Sequence, residues 1–276
     1  MRKLLIISVL LACVPALCRA QNQDAVNSQI YLRVASALQG REGLPPGDLM
    51  VEVAKQFEGT PYVGGSIEKS PENLVVCLDK TDCILFVEMC TAFVQTLKSS
   101  SPSYKSLCDN IRRLRYRNGQ IDGYGSRLHY TSEWLQQASA RRVLIEYTER
   151  LGTPSAQRFH YMTTHRSSYP GLADDQAYEA VRQAEARLNA AGPYYVVPAE
   201  ELKSDISILS KIKDGDIICF VSGVDGLDIS HVGIACKGDD SQMHFIHASS
   251  RRGKVVIESQ TLIQYLSGGI RLARLL

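Results

Sequence analysis

The chain has 276 residues, of which 45% are apolar and 22% are charged, so it can bury the core of one large domain. Its formal net charge of +2 falls to about −1 when the basic residues of a leader at 1–20 are set aside. A chain this close to neutrality, without basic runs interleaved with aromatic residues, gives no support for nucleic-acid binding.

The N-terminus has the order of features found in a bacterial signal peptide. Met1-Arg2-Lys3 is followed by an apolar run over 4–12, and Cys18-Arg19-Ala20 places small residues where a signal peptidase reads them. We therefore expect residues 1–20 to be removed and residues 21–276 to be exported to the periplasm. An alternative is cleavage before Cys13, which would leave a lipid-anchored protein, but the apolar run would then be unusually short. No second apolar span follows, so we expect no transmembrane helix in the mature chain.

The mature chain carries an even number of cysteines in a compartment that permits disulfides. They are Cys77, Cys83, Cys90, Cys108, Cys219 and Cys236. Composition alone favours pairing or burial for each of them, so a functional role for any one must rest on its position.

Two amphipathic helices are predicted near the N-terminus, at 24–39 and 48–58. A turn-rich segment with three glycines, Gly59-Thr60-Pro61-Tyr62-Val63-Gly64-Gly65, follows them. From Asp82 to about residue 98 the apolar residues recur at three- and four-residue spacing, which predicts a further helix.

The middle of the chain, about 100–205, is mixed and mostly polar, with helices predicted near 103–115, 132–139 and 174–190. The last seventy residues instead carry short β-type runs separated by turns. These runs are 216–222, 230–237, 244–249, 254–258 and 269–275. Helices first and antiparallel strands last predict an α+β fold, in which 100–205 is a large, mostly helical insertion into a single domain.

Cys83 is the cysteine best placed to be a nucleophile. It follows Asp82, a suitable N-cap, and so falls in the first turn of the predicted helix. Free N–H groups and the helix dipole at that end favour the thiolate, which is the reactive form of cysteine. Cys219 and Cys236 lie within apolar strands, where a small buried side chain is the simpler interpretation.

Two histidines in the strand region could serve as its base. His231 begins one predicted strand and His247 lies in the next, so a hairpin would bring them together on one face. A metal site is disfavoured because His244 and His247 point to opposite faces of a strand and no HExxH motif occurs. We expect neither a metal ion nor another cofactor.

Five short motifs occur in an order that resembles the NlpC/P60 superfamily of cell-wall peptidases and amidases. They are Gly59–Gly65, Asp82-Cys83 with Phe86-Val87, Asp214–Phe220, Ser230–Ile234 and Phe245–Ala248. The segments 127–134 and 161–165 further resemble one branch, the DUF1460 group, described as N-acetylmuramoyl-L-alanine amidase-like. The chain departs from the superfamily in having Ile84-Leu85 after the Asp-Cys pair and a long loop before it.

The resemblance implies a papain-like core, with a helix that carries the cysteine packed on a sheet that carries the histidines. It makes Cys83 the nucleophile, His231 the general base and later acid, and His247 the polar third member. Tyr62 and Asp82 would lie beside the substrate, with the backbone N–H of Cys83 as an oxyanion donor.

Polar and aromatic side chains of the insertion are candidates for a substrate wall. Arg127 suits a carboxylate, His129 can hydrogen-bond, and Trp134 could stack on a sugar ring. A packing role for Trp134 is equally compatible with the sequence.

The resemblance implies hydrolysis of the amide between N-acetylmuramic acid and L-alanine, in soluble and anhydro-ended muropeptides. A cut between D-Glu and the diamino acid would use the same three residues, so this endopeptidase activity is the alternative. Two further functional classes remain as alternatives for this chain: a catalytically silent cell-wall-binding protein and a structural protein held by disulfides. We expect the chain to act as a monomer on peptidoglycan fragments.

Overall fold

The structure, a computed structural model, describes residues 22–276. The predicted signal peptide at 1–20, with the alternative lipid site at Cys13, lies outside these residues. Within 22–276, no helix has both the length and the apolar character needed to cross a bilayer.

Five helices occupy the first half of the described chain. They are α1 (22–37), α2 (Pro46–Lys55), α3 (Cys83–Leu97), α4 (Tyr104–Arg115) and α5 (Thr131–Ala140). Helix α3 buries eleven of its fifteen residues, including Phe86, Met89 and Phe93. A helix that is apolar around most of its circumference lies inside the protein, and α3 is the central helix of the main core.

A six-stranded antiparallel sheet packs against α2 and α3, in the order β1-β8-β4-β5-β6-β7. Its strands are β1 (Leu144–Glu146), β4 (Ile217–Val221), β5 (Ile229–Lys237), β6 (Met243–Ser249), β7 (Lys254–Ile257) and β8 (Ile270–Leu275). Alternate residues serve the two faces. Val232 and Ile246 join the main core with α3, whereas Phe220 and Phe245 belong to a second core on the other face.

The remaining elements are short, apart from one long helix in the middle region. They are β2 (Thr153–Ser155), α6 (Tyr161–Thr164), α7 (Asp175–Ala190), β3 (Tyr194–Val196), α8 (Ala199–Ser204), α9 (Ile206–Leu209) and α10 (Leu262–Tyr265). Strands β2 and β3 pair with each other. Helix α7 packs over a third small core around Tyr130, Phe159 and Leu172.

The combination of helices with an antiparallel sheet confirms the predicted α+β class. The five predicted strands of the last seventy residues are all present as β4 to β8, within two residues of the expected bounds. Strand β1 was not predicted, because three residues are too few to establish an alternating pattern. It pairs with β8, so the middle region supplies an edge of the main sheet.

Helix α4, at the start of the middle region, also belongs to the main core. Its apolar residues Leu107, Ile111 and Leu114 pack there. The buried Arg115 donates to Glu88 of α3, with Nε 3.0 Å from Oε1. The first elements of the expected insertion are therefore joined directly to the central helix.

Candidate active site

Cys83 is the first residue of α3. The preceding Asp82 has an extended backbone, and its Oδ1 accepts a hydrogen bond of 2.9 Å from the backbone N–H of Leu85. Such a cap stabilises a helix by about 1 kcal/mol and fixes where it begins. One carboxylate oxygen of Asp82 is thus committed to the cap, and the N–H of Cys83 remains among the first-turn donors without a partner inside the helix.

The Cys83 side chain is half-buried and lies against β5. Burial, followed by the nearby Asp82 carboxylate, raises the pKa of the Cys83 thiol to about 11, although the backbone N–H groups of Val232 and Ile84 favour the thiolate. The thiol is therefore protonated at neutral pH and needs a base to become a nucleophile. Val232 immediately follows His231 in the chain, so the sulfur lies beside the strand segment that carries this imidazole.

His231 and His247 contact each other directly. The predicted hairpin is present, with Ile234 of β5 paired to Ile246 of β6. Nε2 of His231 lies 2.6 Å from Nδ1 of His247, with the two rings nearly perpendicular. Because Nε2 of His231 is engaged in this way, Nδ1 is the ring nitrogen left for a further contact. We call Cys83, His231 and His247 the reactive cluster.

Both imidazoles of the reactive cluster are neutral at pH 7. Burial, together with the proximity of His247, lowers the pKa of His231 to about 4. Burial also lowers the pKa of His247, although Glu258 opposes this effect. A neutral imidazole can accept the proton of a thiol that lies within hydrogen-bond reach of it.

Sequence reasoning missed two residues that surround His247. Glu258, which directly follows β7, places Oε2 3.5 Å from Nε2 of His247. The ring of Tyr265 lies edge-on to His247, with 6.0 Å between the ring centroids. The alternation of β7 offers the one sequence signal for Glu258, because His247 pairs with Val256 and residue 258 lies on the same face.

Tyr62 lies at the edge of the reactive cluster. Its backbone forms a bridge with Thr81. Its N–H also donates a 2.9 Å hydrogen bond to the carbonyl of Gly253, which holds the residue next to the β6–β7 turn. Burial, followed by the charges of Cys83 and Asp82, raises the pKa of Tyr62. Its hydroxyl is therefore protonated at neutral pH and available as a donor.

Arg127 and His129 are engaged inside the insertion. Arg127 is 5% exposed; its guanidinium pairs with Glu68 and, at 2.6 Å, with Glu72. Nε2 of His129 lies 2.9 Å from the carbonyl oxygen of Tyr124. Burial and the charge of Arg127 lower the pKa of His129 to about 3. In this conformation all three guanidinium nitrogens of Arg127 and Nε2 of His129 are engaged by protein partners.

Trp134 is buried in the main core, with 2% of its surface exposed. No face of its ring is open to a sugar in this conformation. The burial favours the packing role that the sequence allowed.

A cavity of about 780 Å³ lies between segment 68–72 and helix α7. Its walls include Glu72, Asp122 and Tyr124 but no member of the reactive cluster. The cavity and the cluster are thus separate features of the described structure.

The six cysteines of residues 22–276 are all free thiols. Cys90, Cys219 and Cys236 are buried, as expected for small core side chains. In the same part of the chain, no three His, Cys, Asp or Glu side chains form a group that could hold a metal ion.

A family model described as AmiA-like, N-acetylmuramoyl-L-alanine amidase-like, matches residues 52–269. This match includes all three members of the reactive cluster. No protein with a curated description matches the chain.

Several solved structures are similar over most of the chain. An N-acetylmuramoyl-L-alanine amidase from Bacteroides uniformis is 31% identical, with a TM-score of 0.77 and coverage of 84% of this chain and 99% of its own. A protein from Bacteroides fragilis, provisionally described as a xylanase, is 34% identical, with a TM-score of 0.73 and coverage of 80% and 99%. A Legionella pneumophila protein assigned to DUF1460 shares the fold at 21% identity, with a TM-score of 0.68 and coverage of 92% and 97%.

Proposed function

Since this chain belongs to the N-acetylmuramoyl-L-alanine amidase-like family, we propose that it hydrolyses the amide between N-acetylmuramic acid and L-alanine with Cys83 as nucleophile. The proposed substrates are peptidoglycan fragments, specifically muropeptides with an anhydro-sugar end. The amidase relative from Bacteroides uniformis supports this choice of bond.

One observation carries the cysteine mechanism. The Cys83 thiol stands at a capped helix N-terminus, against the strand whose first imidazole is hydrogen-bonded to a second one. A nucleophile, a base and a group that orients the base are the parts that nucleophilic catalysis requires.

In the acylation step, Nδ1 of His231 takes the thiol proton as the sulfur of Cys83 attacks the lactyl carbonyl carbon. The backbone N–H of Cys83 and the hydroxyl of Tyr62 are the donors for the developing oxyanion. When the tetrahedral intermediate collapses, the carbon–nitrogen bond breaks and the L-alanine nitrogen receives the proton held by His231. The peptide leaves, and a thioester joins the muramoyl group to Cys83.

In the deacylation step, His231 acts first as a base and then as an acid. It takes a proton from water, whose oxygen attacks the thioester carbon. The carbon–sulfur bond then breaks, and the proton held by His231 returns to the sulfur. The N-acetylmuramic acid product is released and loses its carboxyl proton to solvent. Both steps use the neutral form of His231, which burial favours at pH 7.

The order of motifs and the packing of α3 on the antiparallel sheet support a papain-like core of the NlpC/P60 type. Export to the periplasm remains the prediction from residues 1–20. N-terminal sequencing of the mature protein, isolated from the native cell, tests it: a chain that begins at residue 21 is expected. A lipid-modified Cys13 would assign the alternative processing site, and an intact N-terminus would contradict export.

Glycoside hydrolysis, suggested by the description of the Bacteroides fragilis relative, fits the site less well. A glycosidase places two carboxylic side chains on either side of the sugar bond. The reactive cluster is instead a thiol with two imidazoles, and these groups are typical of enzymes that catalyse acyl transfer.

Mass spectrometry of the products tests the proposed bond. Wild-type protein and the Cys83→Ala variant are incubated with a purified anhydro-muropeptide that carries a tetrapeptide. We expect the free sugar and the intact tetrapeptide from the wild type and unchanged substrate from the variant. A cut after D-Glu would assign the endopeptidase activity instead. Equal turnover by the two proteins would overturn the cysteine mechanism.

A further inference from the structure

The carboxylate of Glu258 uses its two oxygens for two different partners. Oε1 accepts hydrogen bonds from the backbone N–H of Gln260, at 3.1 Å, and from the hydroxyl of Ser259, at 3.3 Å. Oε2 is directed at Nε2 of His247, 3.5 Å away. The backbone fixes the residue further, because the N–H of Glu258 donates to the carbonyl of Phe245 and continues the β6–β7 ladder.

Nε2 of His247 depends on this carboxylate. The His247 side chain is 1% exposed, so water does not reach it, and Nε2 has no hydrogen-bond partner at normal distance in the described residues. A buried polar atom left in this state costs about 1–3 kcal/mol. Glu258 Oε2 is the nearby acceptor, and contacts of this kind often tighten only when substrate is bound.

These contacts determine which nitrogen of each imidazole ring carries the hydrogen. For His231 to accept the thiol proton at Nδ1, its own hydrogen must sit on Nε2, where it is donated to Nδ1 of His247. His247 must then carry its hydrogen on Nε2, which faces Oε2 of Glu258. An ionised carboxylate accepts but cannot donate, so its presence selects this arrangement for both rings.

We propose that Glu258 is a positioning residue that fixes the tautomers of His247 and His231, so that Nδ1 of His231 is kept free to receive the Cys83 proton. This inference rests on the proposed function, because it assigns a role in the same acyl transfer. It adds a fourth member, on a third strand segment, to a cluster that the sequence limited to three.

Replacing the carboxylate by an amide is expected to reverse the arrangement. In Glu258→Gln, the amide oxygen keeps the two hydrogen bonds from Gln260 and Ser259, so the NH₂ group faces His247. Nε2 of His247 must then accept, its hydrogen moves to Nδ1, and His231 is forced to carry its own hydrogen on Nδ1. In a Ser-His-Asp triad, the corresponding carboxylate-to-amide change lowers kcat about 10⁴-fold through the wrong tautomer.

Nitrogen-15 NMR of the imidazole side chains tests the proposal without any assay of activity. In the resting wild-type protein at pH 7, we expect both His231 and His247 to be protonated at Nε2 and bare at Nδ1. In Glu258→Gln, we expect the protonated nitrogen of both rings to change to Nδ1. A wild-type spectrum with the hydrogen of His247 on Nδ1 would overturn the proposal, even if the variant did not fold.

Kinetics supply the second readout. Because Glu258 is 7% exposed and acts through His247, Glu258→Gln should lower kcat by about 10²- to 10⁴-fold, up to the loss that the wrong tautomer causes in a Ser-His-Asp triad. KM should stay within about twofold. Glu179→Gln is the matched control: it makes the same carboxylate-to-amide change at an exposed ion pair on α7 and should keep the wild-type kcat. An unchanged kcat in folded Glu258→Gln would contradict the role.

Glu258→Asp separates the charge from the reach of the side chain. It keeps an ionised acceptor, so the wild-type tautomers and a kcat closer to wild type than that of the Gln variant are expected. If Cys83→Ala proved as active as wild type, the proposed function would fail, whereas the NMR spectra would still decide which tautomers Glu258 selects.

Discussion

Polar residues have different environments in two regions of the protein. The first region is the central helix α3 with its sheet, and the second is the insertion at 100–205. In the first region, His231 and His247 contact each other, and Cys83 at the N-terminus of α3 lies against the backbone of Val232, the next residue of β5. In the second, the guanidinium of Arg127 pairs with Glu72, and Nε2 of His129 contacts the carbonyl of Tyr124. Arg127 is therefore a weaker candidate for substrate binding than its residue type suggests, because its nitrogens already have partners.

The sharpest test of this contrast is the removal of the proposed nucleophile. Cys83→Ala should lower kcat on a muropeptide by about 10⁴-fold or more, since no other group can form the thioester. The control is Cys108→Ala, which removes a half-buried thiol from α4 and should keep full activity. An equal decrease of kcat in the two variants would contradict the assignment of Cys83 as the nucleophile.

Loss of the proposed base should have the next largest effect. We expect His231→Ala to lower kcat by about 10²- to 10⁴-fold, the range usual for a general acid–base residue. His165→Ala is the control, because this exposed imidazole stacks on Tyr161 within the insertion. A steady-state assay of both variants checks the difference; a wild-type rate for His231→Ala would exclude its role as base.

Arg127 provides the converse test in the insertion. Arg127→Met leaves the buried Glu72 carboxylate without its cationic partner and with only the Tyr116 hydroxyl as a side-chain donor, so we expect the free energy of unfolding to fall by about 3–5 kcal/mol. Denaturant unfolding of this variant and of the exposed Arg113→Met control measures the loss. A large increase in KM with unchanged stability would instead return Arg127 to the substrate wall.

The pH dependence of kcat/KM gives the smallest effect over the neutral range. The rate should rise with pH as His231 loses its proton near pH 4 and should stay level until the Cys83 thiol ionises near pH 11. Below pH 4 the decrease should approach tenfold per pH unit. Brief assays, started from protein kept at pH 7, measure the profile. A decline between pH 7 and 9 would show that the pair rests as thiolate and imidazolium.

Local patterns were sufficient for the parts of the site that depend on neighbouring residues. Asp82 before an apolar run predicted the start of α3, and two short β-type runs joined by a turn were compatible with the hairpin that the structure contains. Glu258 could not be recognised in the same way. Its contact depends on the register of β7 with β6, and a shift of one residue would turn the side chain to the other face.

The insertion was harder to interpret because its decisive contacts join distant parts of the chain. Arg127 meets Glu72, which precedes the central helix, and Trp134 enters a core built largely by other helices. The sequence predicts a helix near 132–139 but not which partners cover its apolar side chains. Long-range packing therefore decides between a binding wall and a buried support.

The most direct test of the account is to capture the covalent intermediate. Wild-type protein is mixed with anhydro-muropeptide, quenched in acid within milliseconds to seconds, digested and analysed by mass spectrometry. We expect the peptide that contains Cys83 to carry the anhydro-N-acetylmuramoyl group as a thioester, which hydroxylamine removes. An adduct on another residue, or product formation with no adduct on Cys83 at any time, would contradict the mechanism.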